Sequence, residues 1–400
     1  MDNFEYCKPT HVYFGRGVEN SVGTYVKAAG GSRVLLVSGQ GSAERSGLLQ
    51  RVRTSLMREG LSFFELKGVK PNPRADLVYA GIETARSQGV DLILGVGGGS
   101  VIDTAKAVAN GVPYAGDFFD FHLKKAKPEH SLPVGCVLTL TAAGSEGSDS
   151  CVIEKEVDGK VIKSGHNCPQ NVPAFAVLNP ELTFTLPPYQ SACGITDMMA
   201  HVMERYFTNT RGVSLTDRLC EAVLLSIVEN GRQVMADPYD YDARANLMWA
   251  GTLAHNNSCG VGREQDWASH HLEHQLSALY DVAHGAGLAV IFPAWMEYNL
   301  NHDVMRFAQF ATRVFGCEMD FEEPERTARA GIAALRSFYK EIGMPLSFDE
   351  IGAKEEDIPR LLNVLGVDEK DRLEGHFVSL KRSDCEQIYL LAARYGRKPR

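Results

Sequence analysis

The chain has 400 residues, which is long enough for two or more domains with separate hydrophobic cores. Hydrophobic residues make up 44% and charged residues 23%, as in ordinary soluble globular proteins. The net charge of −9, with no Lys- or Arg-rich stripe, argues against a nucleic-acid partner, and no apolar run reaches the roughly 20 residues that cross a bilayer.

Residues 1–186 alternate between predicted strands and predicted helices. Strands are predicted at 10–14, 33–38, 61–66, 91–96, 134–139 and 175–178, and helices at 42–59, 75–88 and 100–110. This alternation is typical of a parallel sheet with crossover helices. We therefore predict an α/β dinucleotide-binding domain over residues 1–186.

The pattern changes after Leu186-Pro187-Pro188, where paired prolines mark a plausible domain boundary. From there on only helical periodicity is found, at 189–207, 214–235, 243–256, 267–280, 303–315, 324–342 and 383–395. Residues 187–400 are therefore predicted to form an all-α domain.

The nine cysteines and the N-terminus bear on the cellular compartment. An odd number of cysteines without a Cys-x-x-Cys pair is typical of reduced thiols. The first residues, Met1–Tyr6, are acidic and lack an apolar segment, so no secretory signal is expected. Both observations favour a cytoplasmic protein.

A glycine turn follows the strand predicted at 91–96. Gly97, Gly98, Gly99 and Ser100 open the next helix, where free N–H groups favour phosphate oxygens. Such a turn alone is as often a tight connection as a phosphate site, and the strand–turn–helix context favours the phosphate site. The turn differs from the Gly-x-Gly-x-x-Gly fingerprint of dinucleotide-binding folds.

Histidines and an aspartate in the helical half have the spacing of metal ligands. Asp197 and His201 are four residues apart and share one helix face, and their donor atoms suit a divalent transition metal. Further ligands must come from residues 270–284, the other part of the chain dense in histidine. There His270 and His274 share a face, whereas His271 points roughly 100° away.

Three motifs carry a family resemblance: Asp-x3-His, His-x3-His and Asp-Val-Ala-His-Gly. The chain resembles the iron-containing (group III) alcohol dehydrogenases, in particular their NADPH-dependent butanol dehydrogenase and aldehyde reductase branch. The resemblance extends over almost the whole chain and implies a dehydroquinate synthase-like fold and a homodimer. It implies that Asp197, His201, His270 and His284 hold one divalent metal, Fe²⁺ or Zn²⁺. It also implies that His274 lies near the reacting carbon and away from the metal.

The same resemblance assigns cofactor contacts to the α/β half. The family's pyrophosphate loop, Gly-Gly-Gly-Ser-x-x-Asp-x-Ala-Lys, is matched from Gly97 through Lys106. One departure is Ala143, where the family has a threonine. The implied cofactor-binding residues are Asn72, Gly97, Gly98, Gly99, Ser100, Asp103, Thr139, Ser145, Lys163 and Leu182.

The loop after the strand at 33–38 bears on the choice of nucleotide. Relatives that use NAD place an acidic residue there, and this chain has Gly39, which cannot repel a 2′-phosphate. Gly41 and Ser42 offer N–H and hydroxyl donors, and Arg45 lies nearby. The charge pattern predicts NADP(H) rather than NAD(H).

The predicted reaction is hydride transfer between NADP(H) and small primary alcohols or aldehydes. Alternatives are a glycerol-type polyol dehydrogenase, a dehydroquinate synthase-like lyase and a non-catalytic nucleotide-binding regulator. The lyase family uses a Glu-His-His metal set, so Asp197 and His284 argue against it, and a complete ligand set argues against a regulator. Trp267, Phe118 and Phe119 are candidates for an apolar substrate pocket.

Overall fold

The computed structural model describes residues 1–142, 144–157, 159–368 and 373–397. The chain forms two compact units. The α/β unit comprises residues 7–186 and 239–256, and the helical unit comprises residues 1–6, 187–238 and 257–400. The predicted domain boundary after residue 186 therefore differs from the structure for two segments. Residues 1–6 belong to the helical unit, and residues 239–256 belong to the α/β unit.

The strands all lie in the α/β unit. They are β1 His11–Phe14, β2 Arg33–Gly39, β3 Ser62–Val69, β4 Leu92–Gly97, β5 Val134–Leu138, β6 Ser150–Val157, β7 Lys160–Asn167 and β8 Phe175–Leu178. Six of them form one sheet in the order β1-β8-β5-β4-β2-β3, with every neighbouring pair parallel. The other two, β6 and β7, form an antiparallel hairpin.

The helices include the predicted ones, most of which begin and end close to the predicted positions. They are α1 Val22–Ala28, α2 Ser42–Arg45, α3 Leu48–Arg58, α4 Ala75–Gln88, α5 Gly99–Gly111, α6 Phe119–His122, α7 Pro188–Tyr206, α8 Ser214–Ala236, α9 Tyr241–His255, α10 Ala268–Tyr280, α11 His284–Asn299, α12 Val304–Phe315, α13 Pro324–Glu341, α14 Ile358–Leu365 and α15 Arg382–Arg394.

The central strands are buried on both faces, which explains their continuous apolar sequences. Every residue of β4, β5 and β8 is buried. One face of the sheet packs against α4 and α5, with Val78, Ile102 and Val108 in its core. The other face packs against α1 and α3 through Val26 and Val52. Two covered faces are the usual arrangement of a parallel sheet.

The parallel α/β layer and the helical second half confirm the predicted fold class. Several elements were not predicted: the β6–β7 hairpin, α1, α6, α11 and α14. The helix predicted at 42–59 is two helices, because Gly47 adopts a left-handed conformation between α2 and α3. None of the helices in the described parts of the chain is long and apolar enough to cross a membrane.

Candidate metal centre and cofactor loops

The predicted cofactor loops meet at one edge of the parallel sheet. From β2 the chain adds β3 on one side and then crosses to build β4, β5 and β8 on the other. Nucleotides bind at such a reversal point, outside the carboxyl ends of the strands. Ser38 pairs with Val96, and Gly97 pairs with Leu138, so the loops after β2, β4 and β5 leave the sheet side by side. Gly39, Gly97 and Thr139 therefore lie along one edge.

The glycine turn after β4 has little room for side chains at two of its positions. A Cβ on Gly97 would lie 2.5 Å from Val101 Cγ2, and one on Gly98 would lie 3.0 Å from the side chain of Leu140. Gly98 is the N-cap of α5 and has no side chain that could cap the helix. Because the first N–H groups of a helix lack intrahelical acceptors, they remain available to an anion at this turn.

The loop from Gly39 to Arg45 carries one cation that is not neutralised. Glu44 is held by both terminal nitrogens of Arg53, at 2.7 and 2.6 Å. Arg45 is exposed and has no ion-pair partner among the residues that the structure describes. Gly41 has a φ of 116°, and a Cβ there would lie 3.0 Å from the Arg45 guanidinium. The glycine thus lets the guanidinium lie close over the loop.

Two other predicted residues contact each other. Lys163 Nζ donates to Asn72 Oδ1 at 3.1 Å, which connects the β6–β7 hairpin to the turn after β3. Asn72 has a φ of 52°, a left-handed conformation that asparagine tolerates better than most residues. The structure therefore brings together two residues that are 91 positions apart in the sequence.

Asp103 and Ser145 belong to a buried polar network around Lys106. Lys106 Nζ donates to Ser145 Oγ at 2.9 Å and to the backbone oxygens of Ser148 and Ser150. Ser145 Oγ donates to Asp103 Oδ1 at 2.6 Å. This geometry makes both residues part of the support of the loop after β5, and their contact with a cofactor stays a prediction. Leu182 packs against the core on the α1 and α3 face of the sheet, and Ala143 lies outside the described residues.

The proposed metal ligands come from three helices of the helical unit. Asp197 and His201 lie one turn apart on α7, and their carboxylate and imidazole atoms are 3.0 Å apart. With His270 on α10, each contributes a donor atom within 4.8 Å of the others. His284 is the first residue of α11, and its Nε2 lies 3.7 Å from Asp197 Oδ1. The structure thus brings together all four residues that the resemblance implies.

Two glycines allow α11 to approach its neighbours closely. A Cβ on Gly285 would lie 2.1 Å from the backbone oxygen of Cys193 on α7. A Cβ on Gly287 would lie 2.5 Å from Glu273 Oε1 on α10. Because neither position has a side chain, the first turn of α11 lies directly against both helices. This contact places His284 beside Asp197.

The cluster leaves ligand atoms without partners, as a metal site requires. Asp197 Oδ1 and His270 Nε2 are buried, and no described residue forms a hydrogen bond with either atom. Burial alone would raise the pKa of Asp197, but the neighbouring His201, His284 and His270 hold it below its usual value. Burial lowers the pKa of His270 well below its usual value, so the ring is neutral and can bind a metal. These residues fit a divalent cation.

The three histidines each use Nδ1 for a protein contact, which leaves Nε2 for a metal. His270 Nδ1 donates to Glu204 Oε1 at 2.7 Å, and His284 Nδ1 donates to Glu273. His201 Nδ1 donates to the backbone oxygen of Asp197 at 2.8 Å. Orientation of a ligand histidine by a carboxylate or a carbonyl is a common feature of metal sites.

Glu204 and Glu273 contact the ligand rings but were not predicted from the sequence. Both are fully buried, and Glu204 also accepts hydrogen bonds from the backbone N–H groups of Trp267 and His270. Glu204 lies one turn after His201, and Glu273 lies between His270 and His274. A glutamate close in sequence to the predicted ligand histidines could therefore have indicated a residue that orients them. The sequence-based prediction considered only the spacing of the histidines and Asp197.

The other histidines and aromatic residues considered for the site lie partly beside the metal-ligand cluster and partly away from it. His271 is half exposed and binds Glu374 at 2.6 Å, outside the cluster. The His274 ring lies 5.4 Å from that of His284, next to the cluster. Trp267 lies against the His201 and His270 rings. Phe118 and Phe119 are buried in the core of the α/β unit, so their predicted place in a substrate pocket is wrong.

Comparison with known families covers both halves of the chain. The family described as iron-containing alcohol dehydrogenase matches residues 9–180, and its C-terminal family, Fe-containing alcohol dehydrogenase, matches residues 191–393. The chain belongs to the iron-containing alcohol dehydrogenase family. Membership confirms the resemblance seen in the sequence and makes the protein a metal-dependent alcohol dehydrogenase or aldehyde reductase that uses a nicotinamide cofactor.

Relatives within the iron-containing alcohol dehydrogenase family match over nearly their full length. NADH-dependent butanol dehydrogenase A of Clostridium acetobutylicum is 40% identical, over 88% of this chain and 90% of the relative. NADPH-dependent aldehyde reductase YqhD of Escherichia coli is 35% identical, over 95% and 97%. The crystal structure of NADH-dependent butanol dehydrogenase A from Thermotoga maritima superimposes with a TM-score of 0.93 at 38% identity, over 98% and 99%.

We expect Glu204→Gln to weaken metal affinity by about 10–100-fold, because the amide no longer gives His270 a carboxylate partner. Glu374→Gln is the matched control, since Glu374 makes the same Nδ1 contact with His271 outside the cluster. Metal affinity would be measured by competition with a chromophoric chelator. Equal affinities for Glu204→Gln and the parent would show that Glu204 does not position His270.

Proposed function

We propose that this protein catalyses the reversible reduction of small aldehydes to primary alcohols with NADPH, and that it resembles the butanol dehydrogenases in substrate range. The observation that carries the proposal is the cluster of Asp197, His201, His270 and His284, in which two buried ligand atoms have no hydrogen-bond partner among the described residues. The named activities of the butanol dehydrogenases and of YqhD support the substrate class.

We propose that these four residues hold one ion of Fe²⁺ or Zn²⁺, because imidazole and carboxylate ligands suit both metals. When bound, the ion polarises the oxygen of the alcohol or aldehyde. The side chains of this protein then have positioning and proton-transfer roles. Glu204 and Glu273 keep two ligand rings oriented through Nδ1, and His274 accepts or supplies the proton at a ring nitrogen.

The α/β unit binds the cofactor in this proposal. The turn from Gly97 to Ser100 holds the pyrophosphate at the N-terminus of α5, and Lys163 and Asn72 contact the cofactor together. The other contacts follow the family pattern carried over above. In this arrangement the pyrophosphate interacts mainly with backbone N–H groups. The choice between NADP(H) and NAD(H) therefore depends on the charges in the loop after β2.

We propose a preference for NADPH over NADH. Gly39 presents no carboxylate, and Arg45 is an exposed cation without an ion-pair partner in the described chain, so a 2′-phosphate meets attraction rather than repulsion. The relatives use both cofactors: the butanol dehydrogenases are named for NADH and YqhD for NADPH. The loop charges of this chain are what favours the phosphate-bearing form.

The proposal is tested by following nicotinamide absorbance with butanal, with NADPH and NADH in parallel. We expect a higher kcat/KM with NADPH, and we expect Gly39→Asp to shift the preference towards NADH by repelling the 2′-phosphate. A Cβ at Gly39 would meet only ordinary contacts, 3.6 Å from the Val69 oxygen and 3.8 Å from Val101 Cγ2, so the variant should fold.

Gly39→Asn is the matched control, because it adds the same volume without charge and should leave NADPH the better cofactor. Comparable kcat/KM for both cofactors in the parent would contradict the preference and leave the reaction class intact. Absence of butanal reduction with either cofactor, in protein that holds its metal, would contradict the proposed substrate range. We also propose that the protein is a cytoplasmic homodimer.

A further inference from the structure

A second group of metal-binding side chains lies in the α/β unit. His122, Cys151 and His166 each offer one donor atom, and these atoms all lie within 4.8 Å of one another. None of the three is among the residues assigned above to the cofactor or to the catalytic metal. Sulfur with two imidazole nitrogens is a ligand set that Zn²⁺ and Cu⁺ favour.

The fold holds these three residues in fixed positions. Cys151 on β6 and His166 on β7 are directly opposite each other in the antiparallel hairpin. Directly opposite side chains on one face of such a pair lie about 5 Å apart at Cβ. His122 ends α6, and two hydrogen bonds join it to β7: its Nδ1 donates to the Ser164 oxygen at 2.8 Å, and Ser164 Oγ donates to the His122 oxygen at 2.9 Å.

Two buried ring nitrogens in this group have no hydrogen-bond partner in the part of the chain that the structure describes. They are Nε2 of His122, a residue that is 2% exposed, and Nδ1 of His166. Because His122 Nδ1 carries the hydrogen that is donated to the Ser164 oxygen, Nε2 has a lone pair that is available to a cation. Burial lowers the pKa of His122 to about 4, so the ring is neutral at pH 7.

Polar and aromatic side chains surround this group. Asn110 Nδ2 lies 3.4 Å from His166 Nε2, and Asn110 Oδ1 is buried without a hydrogen-bond partner among the described residues. Cys151 is fully buried, and its Sγ lies 3.3 Å from the backbone oxygen of Asp103. The ring of Phe119 stacks on His122, and Phe121 lies against His166. Aromatic packing of this kind fills space, but it offers no hydrogen-bond partner in the ring plane to an imidazole nitrogen.

We propose that His122, Cys151 and His166 bind a second metal ion, Zn²⁺ or Cu⁺, in a structural site of the α/β unit. His166 is the partly exposed member, so an ion reaches the buried atoms from its side. The ion joins α6 to the β6–β7 hairpin. Since this hairpin carries Lys163, which donates to Asn72, the ion also stabilises a predicted cofactor contact.

The experiment uses Co²⁺ as the probe, added to full-length metal-free protein. A thiolate bound to Co²⁺ has an intense sulfur-to-metal charge-transfer absorption, which the Asp197–His201–His270–His284 cluster cannot produce because it has no sulfur. We expect two Co²⁺ per chain and this absorption in the parent. Cys151→Ser should bind one Co²⁺ without the absorption, and His122→Asn should bind the second ion at least 10-fold more weakly.

Cys136→Ser is the matched control, because Cys136 is equally buried in the same unit and lies outside the group. It should retain the absorption and both ions. His270→Ala separates this inference from the proposed function: it should lose the catalytic ion and retain the absorption. Thermal unfolding should show that excess Co²⁺ stabilises His270→Ala but not the His270→Ala, Cys151→Ser double variant.

Displacement of the absorbing Co²⁺ by Zn²⁺, or by Cu⁺ under anaerobic conditions, would support the site and identify its preferred ion. Displacement by neither ion would overturn the proposal. An absorption that is absent from the folded parent, or one that persists in Cys151→Ser, would also overturn it.

Discussion

His270→Ala is expected to abolish metal retention, so that purified protein holds no ion at the catalytic cluster after dialysis. His270 Nε2 is buried, has no hydrogen-bond partner among the described residues and lies among the Asp197 and His201 donors, so the substitution removes one of the four predicted ligands. The measurement is metal content per chain by elemental analysis, with Fe²⁺ or Zn²⁺ supplied. Activity with butanal should fall to background in the same preparation.

His271→Ala is the matched control for this experiment. His271 is the adjacent residue on α10, but it is half exposed and binds Glu374 outside the cluster. It should retain the metal and most of the activity. If His271→Ala lost the ion and His270→Ala kept it, the assignment of the ligand face of α10 would be wrong. Circular dichroism melting of both variants would separate loss of metal from loss of fold.

Removal of the metal is expected to cost far more activity than removal of His274. In the proposed function the cation provides most of the stabilisation of developing charge, whereas a general acid–base group contributes roughly 10²–10⁴-fold, or about 3–5 kcal/mol of barrier. The metal-free protein should be near background with butanal and NADPH. His274→Ala should keep a measurable rate with an altered pH–rate profile.

The comparison needs readouts beyond the rate itself. Metal content must be unchanged in His274→Ala, because its ring lies beside His284 and a lost ion would mimic a lost proton relay. Addition of Fe²⁺ or Zn²⁺ should restore the chelated protein but leave His274→Ala unchanged. Full activity after rigorous chelation would overturn the metal-dependent mechanism. A pH–rate profile of His274→Ala identical to that of the parent would remove His274 from it.

Much of the architecture follows from local sequence patterns. Continuous apolar runs predicted β2, β4 and β8 because strands buried on both faces have no polar side, and three-to-four-residue periodicity predicted α4 and α13 to within a residue or so. The β6–β7 hairpin was missed, since its polar alternation, with Glu154, Glu156 and Lys163, resembles a loop in sequence. Its strands are defined by their pairing with each other.

The candidate metal site was also predicted only in part from the sequence. The spacing of Asp197 and His201 by itself predicts two ligands on one helix face, because the α-helical repeat is fixed by backbone geometry. Family resemblance supplied His270 and His284, whereas the sequence pattern left the choice of histidine open. The contribution of Glu204 and Glu273 became visible only in the structure, where each accepts a hydrogen bond from a ligand ring.

The sequence by itself determined the fold class, the helix face that carries Asp197 and His201, and the uncharged loop at Gly39, because each depends on residues near one another in the chain. Tertiary structure decided the rest. Gly285 brings His284 to Asp197 by allowing α11 to lie against α7, and strand pairing places Cys151 opposite His166. Such contacts join residues far apart in sequence, and they depend on packing distances that no local pattern encodes.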